Sequence, residues 1–101
     1  MTLKQSFHYK TGRRRREKLI QEIGEGTVIS TMIEYSEQSS LTKTYLISDT
    51  GIITVVNYST KKIVTRFIAR PNQIKKYYNG EPPQYLLQIA LEHKRHKLNS
   101  L

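Results

Sequence analysis

Four consecutive arginines, Arg13 to Arg16, stand where an apolar helical pattern begins. Arginine's planar fork matches phosphate oxygens two at a time, so a run of this kind could hold a phosphate backbone. Consecutive helical residues point about 100° apart, so the four cannot line one groove, but they can meet a backbone from several sides. A helix N-terminus favours acids, and four cations there work against the macrodipole. That conflict points to a use for the charge outside the helix. The alternative is a solvated first turn balanced by Glu17.

A second stretch without acids runs from Thr60 to Gly80 and carries Lys61, Lys62, Arg66, Arg70, Lys75 and Lys76. Tyr58, Tyr77 and Tyr78 lie in or beside it. Aromatic rings among cations suit base stacking above phosphate contacts, although tyrosines near a helix end also form core edges. In KIVTRFIAR the strand alternation puts Arg66 and Arg70 on one face and Thr65 on the other. If the core lies under Ile63 and Phe67, Arg66 is on the open face, available to a ligand. Among the histidines, His8 precedes the arginine run and could act as a general acid or base. His93 and His96 are spaced i, i+3 but have no carboxylate or thiolate at ligand spacing, so no metal and no cofactor are expected.

The totals agree with a partner of opposite charge. The net charge is +9, from 17 Lys+Arg against 8 Asp+Glu, and it is segregated into these two blocks. A field of that sign on a small domain attracts polyanions, nucleic acid first and an acidic membrane surface or acidic protein second. There is no cysteine, which excludes disulfides, thiolate nucleophiles and Cys-ligated zinc and suits a reducing cytoplasm. No apolar run approaches a membrane span and the first residues do not resemble a secretory signal, so a cytoplasmic protein without a membrane partner is expected.

The elements that must position these residues can be read from periodicity. Residues 1–12 have no clear period and read as an arm, within a single domain over 1–101. Arg16, Leu19, Ile20 and Ile23 fall on one helical face, and Gly24 with Gly26 ends that helix. TVISTMIEYS, residues 27–36, reads as a strand with Ile29, Thr31, Ile33 and Tyr35 on one face. SEQSSLT is a loop, a second strand covers about Lys43 to Ser48, and Asp49-Thr50-Gly51 is a hairpin signal. Ile52 to Tyr58 and KIVTRFIA complete four strands with short links, hence an antiparallel meander. NQIKKYY reads as a short helix after Pro71, and Gln84 to about Lys97 as a last helix with an apolar stripe. The expected fold is α+β: an N-terminal helix, a four-stranded antiparallel meander, and one or two C-terminal helices packed on one face.

A basic helix with an upstream His, then GEGTVIS, YLISDTGIITVV and KIVTRF, resembles the small RelE/BrnT-like ribonuclease toxins of the barnase–colicin–RelE grouping. The likeness covers residues 7 to 69. It implies RNA cleavage without metal, by attack of a ribose 2′-hydroxyl on the adjacent phosphate. It also implies that His8 and Arg13 to Arg16 match the N-terminal His-and-arginine stretch, and Thr65 with Arg66 a polar pair on the last strand. In that version His8 or Tyr58 moves protons while Arg13, Arg16 and Arg66 stabilise the phosphorane. The spacing of His8 to the arginines departs from the family, no carboxylate base is evident, and the C-terminal segments lie outside the match. A binding-only relative is therefore the other expectation.

Together these readings give a small basic nucleic-acid-binding protein, with RNA before DNA as partner, of phage or mobile-element type. Arg13, Arg14, Arg15, Arg16, Lys61, Lys62, Arg70, Lys75, Lys76 and Tyr77 are the expected contacts. His8, Thr65, Arg66 and Tyr58 are the residues for any ribonuclease step. The rival expectation is a structural or adaptor protein whose basic face docks an acidic protein, such as an antitoxin.

Overall fold

The computed structural model of the chain describes residues 14–96. A helix over residues 14–23, α1, precedes four strands: β1 (Val28–Ser36), β2 (Leu41–Ser48), β3 (Ile52–Asn57) and β4 (Ile63–Ile68). Two helices follow, α2 (Pro71–Tyr77) and α3 (Gln84–His96). The strands pair in chain order, all antiparallel, the arrangement that short connections enforce.

The C-terminal helices cover one face of this sheet, the front. Tyr45, Ile47, Ile53 and Val55 from β2 and β3 pack there with Ile74 of α2 and Leu86 and Ala90 of α3, and Phe67 joins them from β4. Side chains alternate across a strand, so Ile52 and Ile68 point the other way. They form a second, smaller cluster with Ile20, edged by Leu19 and Ile23, which places α1 on the back face. The helical stripe of α1 is therefore legible in its apolar members, whereas Arg16 stays half-exposed.

Strand β1 departs from simple alternation. The β1–β2 register shifts between Val28 and Ser30, a bulge that lets Ile29 join Met32 against the front core. Thr31, Ile33 and Tyr35 are left on the back face and exposed. The expectation that Ile29 shares their face is corrected by this single extra residue.

The Ser48–Gly51 turn ties three parts of the chain together. Asp49 Oδ1 accepts the Thr27 N–H at 2.9 Å, and the Asp49 N–H returns to the Thr27 carbonyl at 2.8 Å. Thr50 Oγ1 donates to the Gly24 carbonyl at 2.8 Å. The Gly51 carbonyl accepts the Ala69 N–H at 2.9 Å, at the exit of β4. His93 Nε2 lies 3.0 Å from the Thr50 carbonyl, and because a carbonyl only accepts, Nε2 carries the proton and donates. Gly51 has φ +87 and sits against Ile89 and His93, so α3 closes over a position that suits glycine.

On the front face the Tyr45 and Tyr77 rings stack at 4.1 Å, 10° from parallel. Burial pushes the Tyr45 hydroxyl up to about 12, and the neighbouring Tyr77 adds to it. In the unfolded chain the same phenol ionises near about 10. The folded state therefore keeps a proton that the unfolded state releases, so this contribution is complete below pH 10 and is lost as pH rises towards 12. The expected result is a urea midpoint that falls above pH 10, with one tyrosine lagging in a phenolate absorbance titration. Tyr45→Phe should remove that lag and flatten the fall.

Candidate nucleic-acid interface

The strand registers arrange the back-face side chains in rows running across the sheet. Nearest the Ser48–Gly51 turn, Ile52 lies opposite Ile68, both under Ile20 of α1. The next row is Thr31, Leu46, Thr54 and Arg66. A third contains Ile33, Thr44 and Val56, and there a bulge between Val55 and Val56 pairs Ile63 with Val56 and leaves Val64 extra. The fourth holds Tyr35 opposite Thr42. Tyr58 extends it: its N–H donates to the Thr42 carbonyl at 2.9 Å, which keeps its side chain on the face of Thr42.

Helix α1 keeps step with these rows. Gly24 meets Thr50, Ile20 covers Ile52 and Ile68, and Glu17 reaches Arg66, with Nη1 to Oε1 at 3.1 Å. One helical turn rises about 5.4 Å and two strand residues about 6.8 Å, so each turn of the helix serves one row. The turn before Glu17 contains Arg14, the first described residue. Away from Ile20 the back face is open: Ile33 is 57%, Tyr35 58%, Tyr58 44%, Ile63 52% and Val64 42% exposed.

Exposed cations are found on α1 and in the hairpin next to Tyr58. Arg14 and Arg15 are exposed on α1, with Arg16 half-buried beside them. Lys61 and Lys62 come from the β3–β4 hairpin. Asn57 Oδ1 shapes that hairpin by accepting the N–H groups of Ser59 and Thr60 at 2.9 and 3.0 Å, and the Lys61 N–H returns to the Asn57 carbonyl at 2.8 Å. Lys61 is in the left-handed region (φ 64), and its Nζ lies 4.3 Å from the Tyr58 ring centroid. Rings, threonine hydroxyls and peripheral cations form a surface that can stack bases and hold phosphates.

Arg66 is on the back face, as the alternation predicts, but it is not free. Its guanidinium is bound by both Glu17 and Glu25, and its side chain is 16% exposed. The hydrogen bond with Glu25 is the main cause of two shifts: Glu25 is held below the usual carboxylate range and Arg66 above its ordinary value. The availability of Arg66 to a ligand is therefore corrected, because two acids 49 and 41 residues away in sequence already occupy it.

The other candidates are scattered by the fold. Thr65 pairs with Val55 on the front face, so it and Arg66 cannot touch one phosphate from the same side. Tyr58 is two rows from Arg66, about 14 Å along the strands. Lys62 precedes β4 and Arg70 follows it, roughly 25 Å apart, so the second basic block does not form one patch. Arg70 is exposed at the start of α2, with its backbone N–H bound by Gln73 Oε1 at 2.9 Å. Lys75 and Lys76 are exposed on α2, over the front of the sheet. Tyr77 is stacked on Tyr45, with Lys76 Nζ 5.2 Å from its centroid, so it is a core ring and not an open stacking surface. His8 and Arg13 lie outside the described residues.

Tyr35 was not singled out by sequence reasoning, although it is the most exposed aromatic of the open rows. A signal did exist: β1 carries apolar residues on both faces, more than a half-buried edge strand needs. Among the described residues no three His, Cys, Asp or Glu side chains group as a metal ion would require. No helix among them is long and apolar enough to cross a membrane. Comparison with family models, curated proteins and solved structures returned no match.

Proposed function

We propose that this chain binds nucleic acid, RNA before DNA, across the open rows of the sheet's back face. One observation carries the reading: the exposed back-face residues Ile33, Tyr35, Tyr58, Ile63 and Val64 adjoin a hairpin with exposed Lys61 and Lys62, and Lys61 Nζ lies 4.3 Å from the Tyr58 ring centroid. Cations beside an uncovered surface gain most from a polyanion lying across it. Thr31, Thr42 and Thr44 share the face, and a ribose 2′-hydroxyl can meet such groups as donor or acceptor, which favours RNA. Ribonuclease activity without metal, implied by the resemblance, is an extension of the same reading. In that extension Arg66, already held by Glu17 and Glu25, fixes α1 against the sheet and leaves phosphate contact to exposed cations such as Arg14 and Arg15.

The test uses protein freed of nucleic acid and a short labelled RNA, without added metal, over a series of salt concentrations. Affinity should fall linearly on a log–log plot, by about 0.7 per phosphate contact for a single strand. Replacing Lys61 and Lys62 together by Gln should make that slope shallower by about 1.4. Cleavage lost in His8→Ala would add the enzyme, and RNA left intact throughout would leave a binder. No affinity at any salt, with a stoichiometric salt-tolerant complex on an acidic protein, would replace this reading by the adaptor one.

A further inference from the structure

We infer that the fourth row of the back face, Tyr35–Thr42–Tyr58, is a two-base stacking platform that selects single-stranded over duplex nucleic acid. The inference rests on the nucleic-acid reading above and specifies the form of its ligand. Three features carry it.

The first is placement. Tyr35 on β1 and Tyr58 after β3 flank Thr42 of β2, so their backbones are two strand spacings apart, roughly 10 Å. Both rings are accessible, at 58% and 44% exposure, and among the described residues neither stacks on another ring as Tyr77 does on Tyr45. An aromatic ring held out from a sheet over a small residue such as Thr42 leaves a π-face for an unstacked base, one per ring.

The second is chemistry between the rings and beyond them. Ile33, Ile63 and Val64 extend the exposed apolar surface into the neighbouring row. A duplex offers this surface only phosphates and sugars, because its bases are stacked and paired within. A single strand offers base faces to the rings and apolar side chains, and still keeps its phosphates for the rim.

The third is charge. Lys61 Nζ lies against the Tyr58 ring, and Lys62 follows in the same hairpin, so a phosphate beside a base on Tyr58 comes within reach of ammonium groups. The positive border excludes an apolar peptide as the natural occupant and favours a polyanion whose units each carry a flat apolar group. Single-stranded nucleic acid has that composition.

The probes are a labelled ten-nucleotide single-stranded RNA of mixed sequence and the same sequence as a blunt duplex, both at moderate salt. The single strand should bind at least about ten-fold more tightly, and Tyr35→Ala and Tyr58→Ala should each weaken it about ten-fold with little change in salt slope. Tyr35→Phe and Tyr58→Phe keep the ring and should bind as the unaltered chain does. Because both side chains are exposed, circular dichroism of the alanine variants should match the parent, which separates a stacking loss from misfolding. Equal affinity for strand and duplex, or alanine variants that bind as the parent does, would overturn the platform while the salt-dependent nucleic-acid reading stands. Absence of binding by the parent at every salt would remove both.

Discussion

Gly26→Ala should lower the melting temperature of this domain by roughly 12–24 °C. Gly26 has φ +70, and a Cβ there would fall 2.3 Å from Asp49 Oδ1 and 2.8 and 2.9 Å from the side chain of Thr50. A residue with a Cβ pays about 1–2 kcal/mol for the left-handed conformation, and crowding of packed atoms adds about 1–3 kcal/mol. A total near 3 kcal/mol converts at about 4–8 °C per kcal/mol for a domain of this size. The crowded atoms cannot step aside cheaply, because Asp49 Oδ1 holds the Thr27 N–H and Thr50 Oγ1 holds the Gly24 carbonyl. Gly24→Ala is the control: φ is +100 there too, but nothing lies within 4 Å of the added carbon. Its loss should be confined to backbone strain, about 1–2 kcal/mol. Equal melting temperatures for the two variants would show that the 24–27 segment moves away from the turn without loss.

Ile20→Ala should cost about 2–5 kcal/mol and release α1 before the sheet unfolds. Ile20 is fully buried between Ile52 and Ile68, whereas Leu19 and Ile23 only edge that cluster. Isolated short helices are marginal in water, so the helicity of residues 14–23 depends on this docking. The ion pairs of Arg66 with Glu17 and Glu25 are partly exposed and add little without it. Amide hydrogen exchange read by segment is the measurement. Residues 14–23 should lose protection in the variant while β2 and β3 keep theirs. On the proposed nucleic-acid reading, RNA affinity should fall alongside. Retained protection over 14–23 would mean that the Arg66 pairs, not Ile20, anchor the helix.

These two positions also illustrate how much was legible in advance. Gly26 reads as a helix stop from its neighbours alone, but its constraint comes from Asp49 and Thr50, more than twenty residues away. Ile20 reads as core from its helical spacing, yet spacing does not say which face of the sheet it covers. Likewise Arg66 is correctly assigned to the face opposite Phe67 by alternation, and its two carboxylate partners are invisible to alternation. Tyr77 lies in a basic segment and looks like a stacking ring; packing on Tyr45 makes it core. The candidate ribonuclease residues seemed close because Thr65 and Arg66 are adjacent in sequence, and adjacency in a strand means opposite faces.

The sequence by itself determined the elements and their order, because these depend on local terms. Periods of 3.6 and 2, the glycines after α1 and in the Asp49–Gly51 turn, and Pro71 at the start of α2 act within a few residues. Short links then leave an antiparallel meander as the simple topology, and the surplus of cations follows from counting. Only the tertiary structure decided which surface that surplus borders. One bulge turned Ile29 inward and left Thr31, Ile33 and Tyr35 outward, another brought Ile63 level with Val56, and the docking of Ile20 on Ile52 and Ile68 set which rows α1 covers. Each of these is a registration between segments distant in the chain. Registration is settled by packing both faces of the sheet at once, which no local window of sequence contains.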